Sequence, residues 1–216
     1  MSSEKILYAL SLIAFVVSGI GAGITYYEKH SSSPQTTGNA IVQDYGTVNL
    51  TISTSVAINF TINNINFGSG FVNPGTLGAT LMTGGGNNSN ASGWVNVTQG
   101  FVVANIGNIN VSLWLVTNKT AASFLGGTSP SYQYNVTNNQ SSCPTLDGNT
   151  THIFNTWYNV NTTNATSPWF GDYICRNMSF MQGNNNLTID IKLFVPSDSF
   201  SGPLGDFMTA TAQNSY

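Results

Sequence analysis

Hydrophobic positions follow two different patterns along the chain, and the change between them falls near residue 30. The stretch Ile6–Tyr27 (ILYALSLIAFVVSGIGAGITYY) contains no charged residue. As a helix it would be about 33 Å long, which matches the roughly 30 Å hydrocarbon core of a bilayer. The sequence therefore predicts a short N-terminal segment, residues 1–5, and one hydrophobic α-helix over residues 6–27 that is either transmembrane or part of a filament core.

Beyond the helix, apolar and polar residues alternate in short runs separated by turn residues. Residues 28–45 are predicted to form a polar linker, and residues 46–216 a single domain. The predicted strands are Thr47–Thr54, Val56–Ile65, Trp94–Thr98, Phe101–Ala104, Ile109–Thr117, Tyr132–Thr137, Ile153–Val160, Leu187–Val195 and Phe207–Gln213, with a helical turn at Ala121–Leu125. About nine strands without an amphipathic helix indicate an all-β fold, an immunoglobulin-like β-sandwich behind the N-terminal helix.

Three interpretations of the hydrophobic helix remain open: a cleaved secretory signal, an uncleaved anchor with the domain outside, and a pilin-like helix in a filament core. The run is longer than the 7–15 residues usual for the apolar part of a signal peptide, which disfavours the first. Gly19 and Gly23 form a G-x-x-x-G step. Small residues at this spacing let helix backbones approach closely, so both glycines are candidates for helix packing.

The chain carries very little charge. Lys and Arg number 5, Asp and Glu number 8, and the net charge is −3. Nucleic-acid binding needs a cluster of cations, so this class of partner is not expected. Aromatic and β-branched residues are plentiful, so the low charge does not indicate disorder. Something other than charge must keep the domain soluble.

N-glycosylation sequons supply an explanation for this solubility. Chance would give about six sequons in a chain of this Asn and Ser/Thr content, but the sequence has fourteen. They begin at Asn49, Asn59, Asn87, Asn90, Asn96, Asn110, Asn118, Asn135, Asn139, Asn149, Asn161, Asn164, Asn177 and Asn186. The excess indicates dense N-linked glycosylation and an extracellular location, with sugar as the solubilising layer.

The two cysteines, Cys143 and Cys175, agree with an extracellular domain, where an isolated pair indicates a disulfide. Two cysteines and two distant histidines lack metal-ligand spacing, so no metal site is predicted.

No arrangement of acids, bases and nucleophiles indicates catalysis, so the sequence predicts a protein that is not an enzyme. N-linked glycans apart, no cofactor is predicted. A calcium ion between Asp147 and Asp172 is a weak alternative, and a pocket that joined both to His152 would point back to an enzyme. The four tryptophans would bind sugar if exposed together, but core or subunit contacts are the commoner role. They are Trp94, Trp114, Trp157 and Trp169.

Three segments carry a resemblance to a group of proteins: Gly100–Leu115 (GFVVANIGNINVSLWL), Ala121–Tyr134 (AASFLGGTSPSYQY) and Asn186–Ala212. They resemble small surface proteins of DPANN-type archaea, which place one N-terminal hydrophobic helix before an Asn/Thr-rich immunoglobulin-like domain. The layout is also similar to that of archaeal pilins. However, Glu4-Lys5-Ile6 is a poor match to a pilin processing site, which favours a surface coat over a filament.

Together these features predict a structural cell-surface glycoprotein that assembles with copies of itself into a surface-layer-like coat or a pilus-type filament. The helix would hold it to the membrane or in the filament, on the outer face of the cell envelope. The alternative is an adhesin, or a membrane glycoprotein of an archaeal virus, that binds a partner or a glycan.

Overall fold

The computed structural model describes residues 46–144, 152–162 and 171–215. The predicted helix at 6–27, with Gly19 and Gly23, and the linker at 28–45 lie outside these residues. In the part of the chain that is described, no helix is long and apolar enough to span a membrane. The chain divides into two units, Met1–Thr51 and Ile52–Tyr216, and the strands described below all belong to the second.

The described residues form antiparallel sheets with very little helix, which confirms the all-β class. In chain order the strands are β1 Ile58–Ile62, β2 Phe71–Val72, β3 Gly78–Met82, β4 Ala91–Ser92, β5 Phe101–Asn105, β6 Val111–Thr117, β7 Ser131–Asn138, β8 Trp157–Asn159, β9 Asp172–Met178, β10 Asn186–Pro196 and β11 Met208–Asn214. One short helix, α1, covers Ala121–Leu125, and a 3₁₀ turn covers Asn139–Ser141.

The larger sheet is built on β10, the longest strand. On one side β10 pairs with β7 over residues 187–194, and on the other it pairs first with β5 and then with β3. The strand order is β1-β5-β10-β7-β8, with β3 also on β10. Every second residue of β10 from Leu187 to Val195 is buried, as a two-residue period requires when one face of a sheet packs on a core.

A smaller sheet of order β11-β6-β9 supplies the other half of the core. Its strand β6 buries Val111, Leu113 and Leu115, and β9 buries Ile174 and Met178. These residues belong to the same hydrophobic cluster as the buried face of β10. Strands β2 and β4 form a separate two-stranded ribbon.

The predicted disulfide is present and links the two sheets. Cys143 follows β7 and its 3₁₀ turn, Cys175 lies in β9, and their Cα atoms are 5.9 Å apart. The Asn138 side chain fixes the Cys143 backbone by donating to its carbonyl at 2.7 Å and accepting from its N–H at 2.9 Å. Both sulfur-bearing residues are buried.

Two predicted strands, Thr47–Thr54 and Trp94–Thr98, are not strands in the structure, and β2, β3, β4 and β9 were not predicted. Strand β9 escapes a search for alternation because its register shifts against β6, which gives paired buried residues in place of a strict alternation. Strand β3 begins with Gly78 and Ala79, two residues with weak strand propensity. Strand β8 is shorter than predicted because Asn155 turns the chain with a φ of 60°.

Removing the disulfide should lower the stability of the domain markedly. The bridge closes a loop with a sequence separation of 32, and chain entropy then gives a contribution of about 3–4 kcal/mol. We expect the double variant Cys143→Ala, Cys175→Ala to unfold at a lower denaturant concentration by about that free energy. Reduction of the wild-type chain is the matched control, and equal midpoints for oxidised and reduced chains would contradict the prediction.

Candidate functional site

The described chain contains a cleft of about 1190 Å³, here called the groove, between the loops at residues 64–76 and 196–206. Buried residues from β3 and β10 form its floor, and aromatic residues stand along its sides. The floor includes Leu81, Ile191, Leu193 and Val195, and the sides include Trp94, Phe101, Phe124 and Tyr132. Its volume exceeds the 300–1,000 Å³ usual for small-molecule pockets, which suits a larger occupant.

The loop at 196–206 is held firmly to the helix α1 region. Phe200 N–H donates to the carbonyl of Leu125 at 2.8 Å, and Lys119 Nζ donates to the carbonyl of Gly205 at 2.6 Å. Asp198 accepts from the Thr128 N–H and hydroxyl at 2.8 and 2.7 Å, and these bonds lower the pKa of its carboxyl. This wall of the groove is therefore fixed in place before anything binds.

In the opposite wall, the backbone at Gly70 passes very close to the ring of Trp94. A Cβ on Gly70 would lie 2.6 Å from the indole of Trp94, so only glycine lets the 64–76 loop pass over this ring. The Asn73-Pro74-Gly75 turn completes the loop, with Thr76 N–H donating to the Asn73 carbonyl at 3.2 Å and Gly75 at a φ of 79°.

Asp206 is the one charged residue among the described residues that line the groove. Neither carboxylate oxygen is in contact with solvent and neither makes a hydrogen bond of normal geometry, although Tyr132, Lys119 and the Phe207 backbone lie near. Burial raises the pKa of this carboxyl, and the same burial together with Asp206 raises the pKa of Tyr132. The groove therefore presents a shielded acceptor with unused hydrogen-bonding capacity.

Large apolar side chains are exposed around the groove. Phe71, Phe200 and Leu204 line it with exposures of 59%, 55% and 40%, and Phe207, which follows the 196–206 loop, is 78% exposed. A smaller cavity beside it is lined by residues of β1 and β5 and by Asp206–Met208, so it lies between β1 and β11. Among the described strands, each of these two has a sheet partner on one side only, so an edge of each sheet lies next to an apolar surface.

His152 and Asp172 lie on either side of Tyr134, as part of a buried aromatic cluster. The Tyr134 hydroxyl donates to Asp172 at 2.6 Å. The His152 ring stacks on Tyr134 and lies tilted against Tyr158, with centroid distances of 5.7 and 4.6 Å. Burial lowers the pKa of His152 to about 4, against a smaller opposing effect of Asp172. Asp147 lies outside the described residues, within which no three His, Cys, Asp or Glu are placed to bind a metal ion.

The tryptophans are dispersed. Trp94 lines the groove, Trp114 of β6 stacks on Tyr173 at 4.9 Å, and Trp157 of β8 lies under the Lys192 ammonium at 4.5 Å. Trp169 lies outside the described residues. Among the three that are described, no shared sugar-binding face is formed.

The sequon asparagines lie at the surface. Of the fourteen, Asn149 and Asn164 lie outside the described residues, and none of the other twelve is buried. Six are exposed: Asn49, Asn59, Asn87, Asn90, Asn96 and Asn118. Six are half-buried: Asn110, Asn135, Asn139, Asn161, Asn177 and Asn186.

Several asparagines outside the sequons bind the backbone through their side chains. In the described chain five asparagines donate their side-chain amide to a backbone carbonyl, and none of them begins a sequon. They are Asn88, Asn105, Asn108, Asn138 and Asn185. Among sequon residues, Asn139 and Asn161 donate to side chains. The side-chain oxygens of Asn96 and Asn110 accept from backbone N–H groups at 3.1 and 3.3 Å. The difference between the two sets therefore lies in the five amides that donate to backbone carbonyls, not in whether an asparagine makes hydrogen bonds within the fold.

No protein-family model, curated protein or solved structure matches the chain. The sequons and the cysteine pair were visible in the sequence, whereas the groove was not. Its lining comes from segments more than 130 residues apart, from Asn64 to Asp206, and no local pattern joins them.

Acid should destabilise the domain through His152. Its pKa is lower in the folded chain than in the unfolded one, so its contribution is complete above about pH 6.5 and is lost as the pH falls toward 4. We expect a loss of about 2 kcal/mol across that range, measured by chemical denaturation. His152→Phe should flatten this dependence, whereas His30→Phe, at the other histidine, should not. Equal pH dependence in both variants would contradict the prediction.

Proposed function

We propose that this chain is a structural cell-surface glycoprotein subunit that assembles with copies of itself outside the cell. The observation that carries the proposal is a difference in side-chain hydrogen bonding between asparagines inside and outside the sequons. Glycosylation replaces one hydrogen of the side-chain amide nitrogen and so competes with hydrogen bonds that this nitrogen donates, and the five amides that donate to backbone carbonyls all lie outside sequons. Sequons matching by chance in an Asn-rich chain would not be expected to avoid these positions.

Surface placement of the sequons supports the same conclusion. Glycosylation puts a bulky polar group on the acceptor, so an occupied asparagine must face solvent. All twelve described sequon asparagines are at least partly exposed. Sugar on these positions would solubilise a domain that belongs to a chain with only 6% charged residues. The Cys143–Cys175 bridge fits the oxidising environment outside the cell.

For the domain we propose an immunoglobulin-like β-sandwich, with the hydrophobic segment 6–27 as anchor or filament helix. The sandwich is supported by two antiparallel sheets that share one hydrophobic cluster and by a disulfide between them. The helix is supported by its length and lack of charge.

Self-assembly is supported by the exposed apolar residues around the groove and by the low charge. Phe71 and Phe207 expose 59% and 78% of their surface, and apolar residues clustered at the surface of a soluble domain commonly mark a contact with another protein. A net charge of −3 on 216 residues produces little repulsion between copies.

Glycopeptide mass spectrometry on native material tests the proposal directly. We expect oligosaccharides on the exposed sequon asparagines, such as Asn59, Asn87, Asn96 and Asn118, because their side chains are open to solvent. Negative-stain imaging of the same material should show a repeated assembly. Sequons that are mostly bare, in a chain purified from its own cell, would contradict the proposal.

Asparagines of the two classes should also differ in stability measurements on unglycosylated chain. Asn105 is fully buried and donates to the carbonyls of Ile109 and Met178 at 2.9 and 3.1 Å. We expect Asn105→Ala to lower the free energy of unfolding by about 2–3 kcal/mol, because buried partners lose their bonds.

Asn118→Ala is the matched control, since this exposed sequon residue uses only its backbone N–H, toward the Phe207 carbonyl. Its effect should stay within about 0.5 kcal/mol. Similar losses in the two variants would remove the distinction between the classes.

A further inference from the structure

The segment Thr47–Ile52, here called the donor segment, has the sequence of a strand but not the structure of one. Its apolar residues alternate with polar ones, yet residues 46–57 contain no strand. Val48, Leu50 and Ile52 are 92%, 80% and 78% exposed. A strand with this alternation would gather the three side chains on one face. Such a face is stable only when another surface covers it.

The chain that follows the donor segment is fastened to the domain at a defined point. The Asn108 side chain donates to the Ser53 carbonyl at 2.8 Å and accepts from the Ser55 N–H at 2.7 Å. Ile106 N–H donates to the Ala57 carbonyl at 2.9 Å. These bonds hold Ser53–Ala57 on the turn between β5 and β6, so the donor segment starts from that end of β5.

The groove lies at the other end of β5. Phe101, the first residue of β5, lines the groove, whereas Asn105, the last, is paired with Ile58 beside the fastening point. At about 3.3 Å per residue the two ends are roughly 13 Å apart. The place where the donor segment starts and the groove are therefore at opposite ends of the sheet.

The groove has the composition of a protein-binding surface. It is lined by Asn64, Asn66 and Asn73, none of which begins a sequon, and no sequon asparagine is among its described lining residues. A surface that must accept another chain has to be free of sugar. Its one charged residue, Asp206, has a shielded carboxylate with unused hydrogen-bonding capacity, which the N–H groups of an added strand could satisfy.

We propose that the donor segment of one copy inserts into the groove of the next copy as an added β-strand. Val48, Leu50 and Ile52 pack on the apolar surface around Phe101, which the groove shares with the smaller cavity beside it. The donor backbone pairs with the edge of β11 that has no partner among the described strands and that borders this cavity. Asn49 and Thr51 then face outward, which leaves the sequon at Asn49 in solvent. This inference rests on the proposed self-assembling surface role and adds the contact through which the copies join.

The opposite placement of the two surfaces sets the form of the assembly. Each copy gives a strand at one end and receives one at the other, so the contact is heterologous and does not close on two copies. Repetition of the contact produces a linear fibre. Strand addition of this kind gains affinity from backbone hydrogen bonds and specificity from alternate side chains.

Cysteine crosslinking on the full-length chain in detergent tests the contact. The native cysteines are both in the disulfide, so new thiols react alone. We would mix chains carrying Leu50→Cys with chains carrying Leu204→Cys, which lines the groove, and add a short bismaleimide. We expect a crosslinked dimer in at least about tenfold excess over a control mixture with Gln182→Cys, an exposed position outside the groove.

A second pair of variants tests the assembly itself by electron microscopy. Val48→Ser, Leu50→Ser, Ile52→Ser should shorten or abolish the fibres, while Thr47→Ser, Thr51→Ser on the polar face should leave them unchanged. Both variants keep the sequon at Asn49, so glycosylation is matched.

Three results would overturn the inference. One is equal crosslinking with the Gln182 control. Another is a crosslinked monomer from a chain carrying both Leu50→Cys and Leu204→Cys in excess wild type, because its own segment would then fill the groove. The third is an unchanged assembly in the serine variant. If glycosylated assemblies persist in that variant, the contact is wrong and the surface role stands. If native sequons are bare and no assembly forms, the surface role fails as well.

Discussion

The whole larger sheet depends on the two-sided pairing of β10. Strand β7 occupies one side of β10 along nearly its full length, while β5 and β3 share the other side end to end. Its buried face contributes Leu187, Ile189, Ile191, Leu193 and Val195. Leu187 and Ile189 pack with the smaller sheet in the core. Ile191, Leu193 and Val195 line the groove. One continuous strand therefore builds both the stable interior and the floor of the open cleft.

The pairing of β10 also explains how the groove keeps its shape although its floor is apolar. The interior beside it is closed by the Cys143–Cys175 bridge and by fully buried side chains such as Leu113 and Ile174. The groove floor shares the same strand, so its geometry is set by backbone pairing that does not depend on an occupant. On our proposal, a surface held in this way would lose little conformational entropy when the donor segment binds.

Local sequence patterns predicted the parts of the fold that local physics determines. The long alternation of β10, the helical turn at α1 and the cysteine pair are all legible from neighbouring residues. Strand β9 was not, because its bulges replace strict alternation with a pairing set by β6. The prediction of a strand at Thr47–Thr54 was wrong for a different reason. Alternation indicates that a segment can pair, but it does not show whether a neighbouring strand is there to pair with. The groove joins residues from Asn64 to Asp206, and only the tertiary fold could place them together.

Because β10 lies late in the chain, the larger sheet can form only late in synthesis. The centre of the larger sheet cannot close until residues 186–196 have been synthesised, because β5, β3 and β7 all pair with them. Asn139, whose amide is bound to Asn186 and Thr188 in the folded domain, is unpaired until then. Both hydrogens of this amide nitrogen are engaged in the folded domain, so on our proposal a sugar at Asn139 would be attached before these bonds form. Under that proposal, the pairing of β10 would set the latest point in synthesis at which Asn139 could be modified.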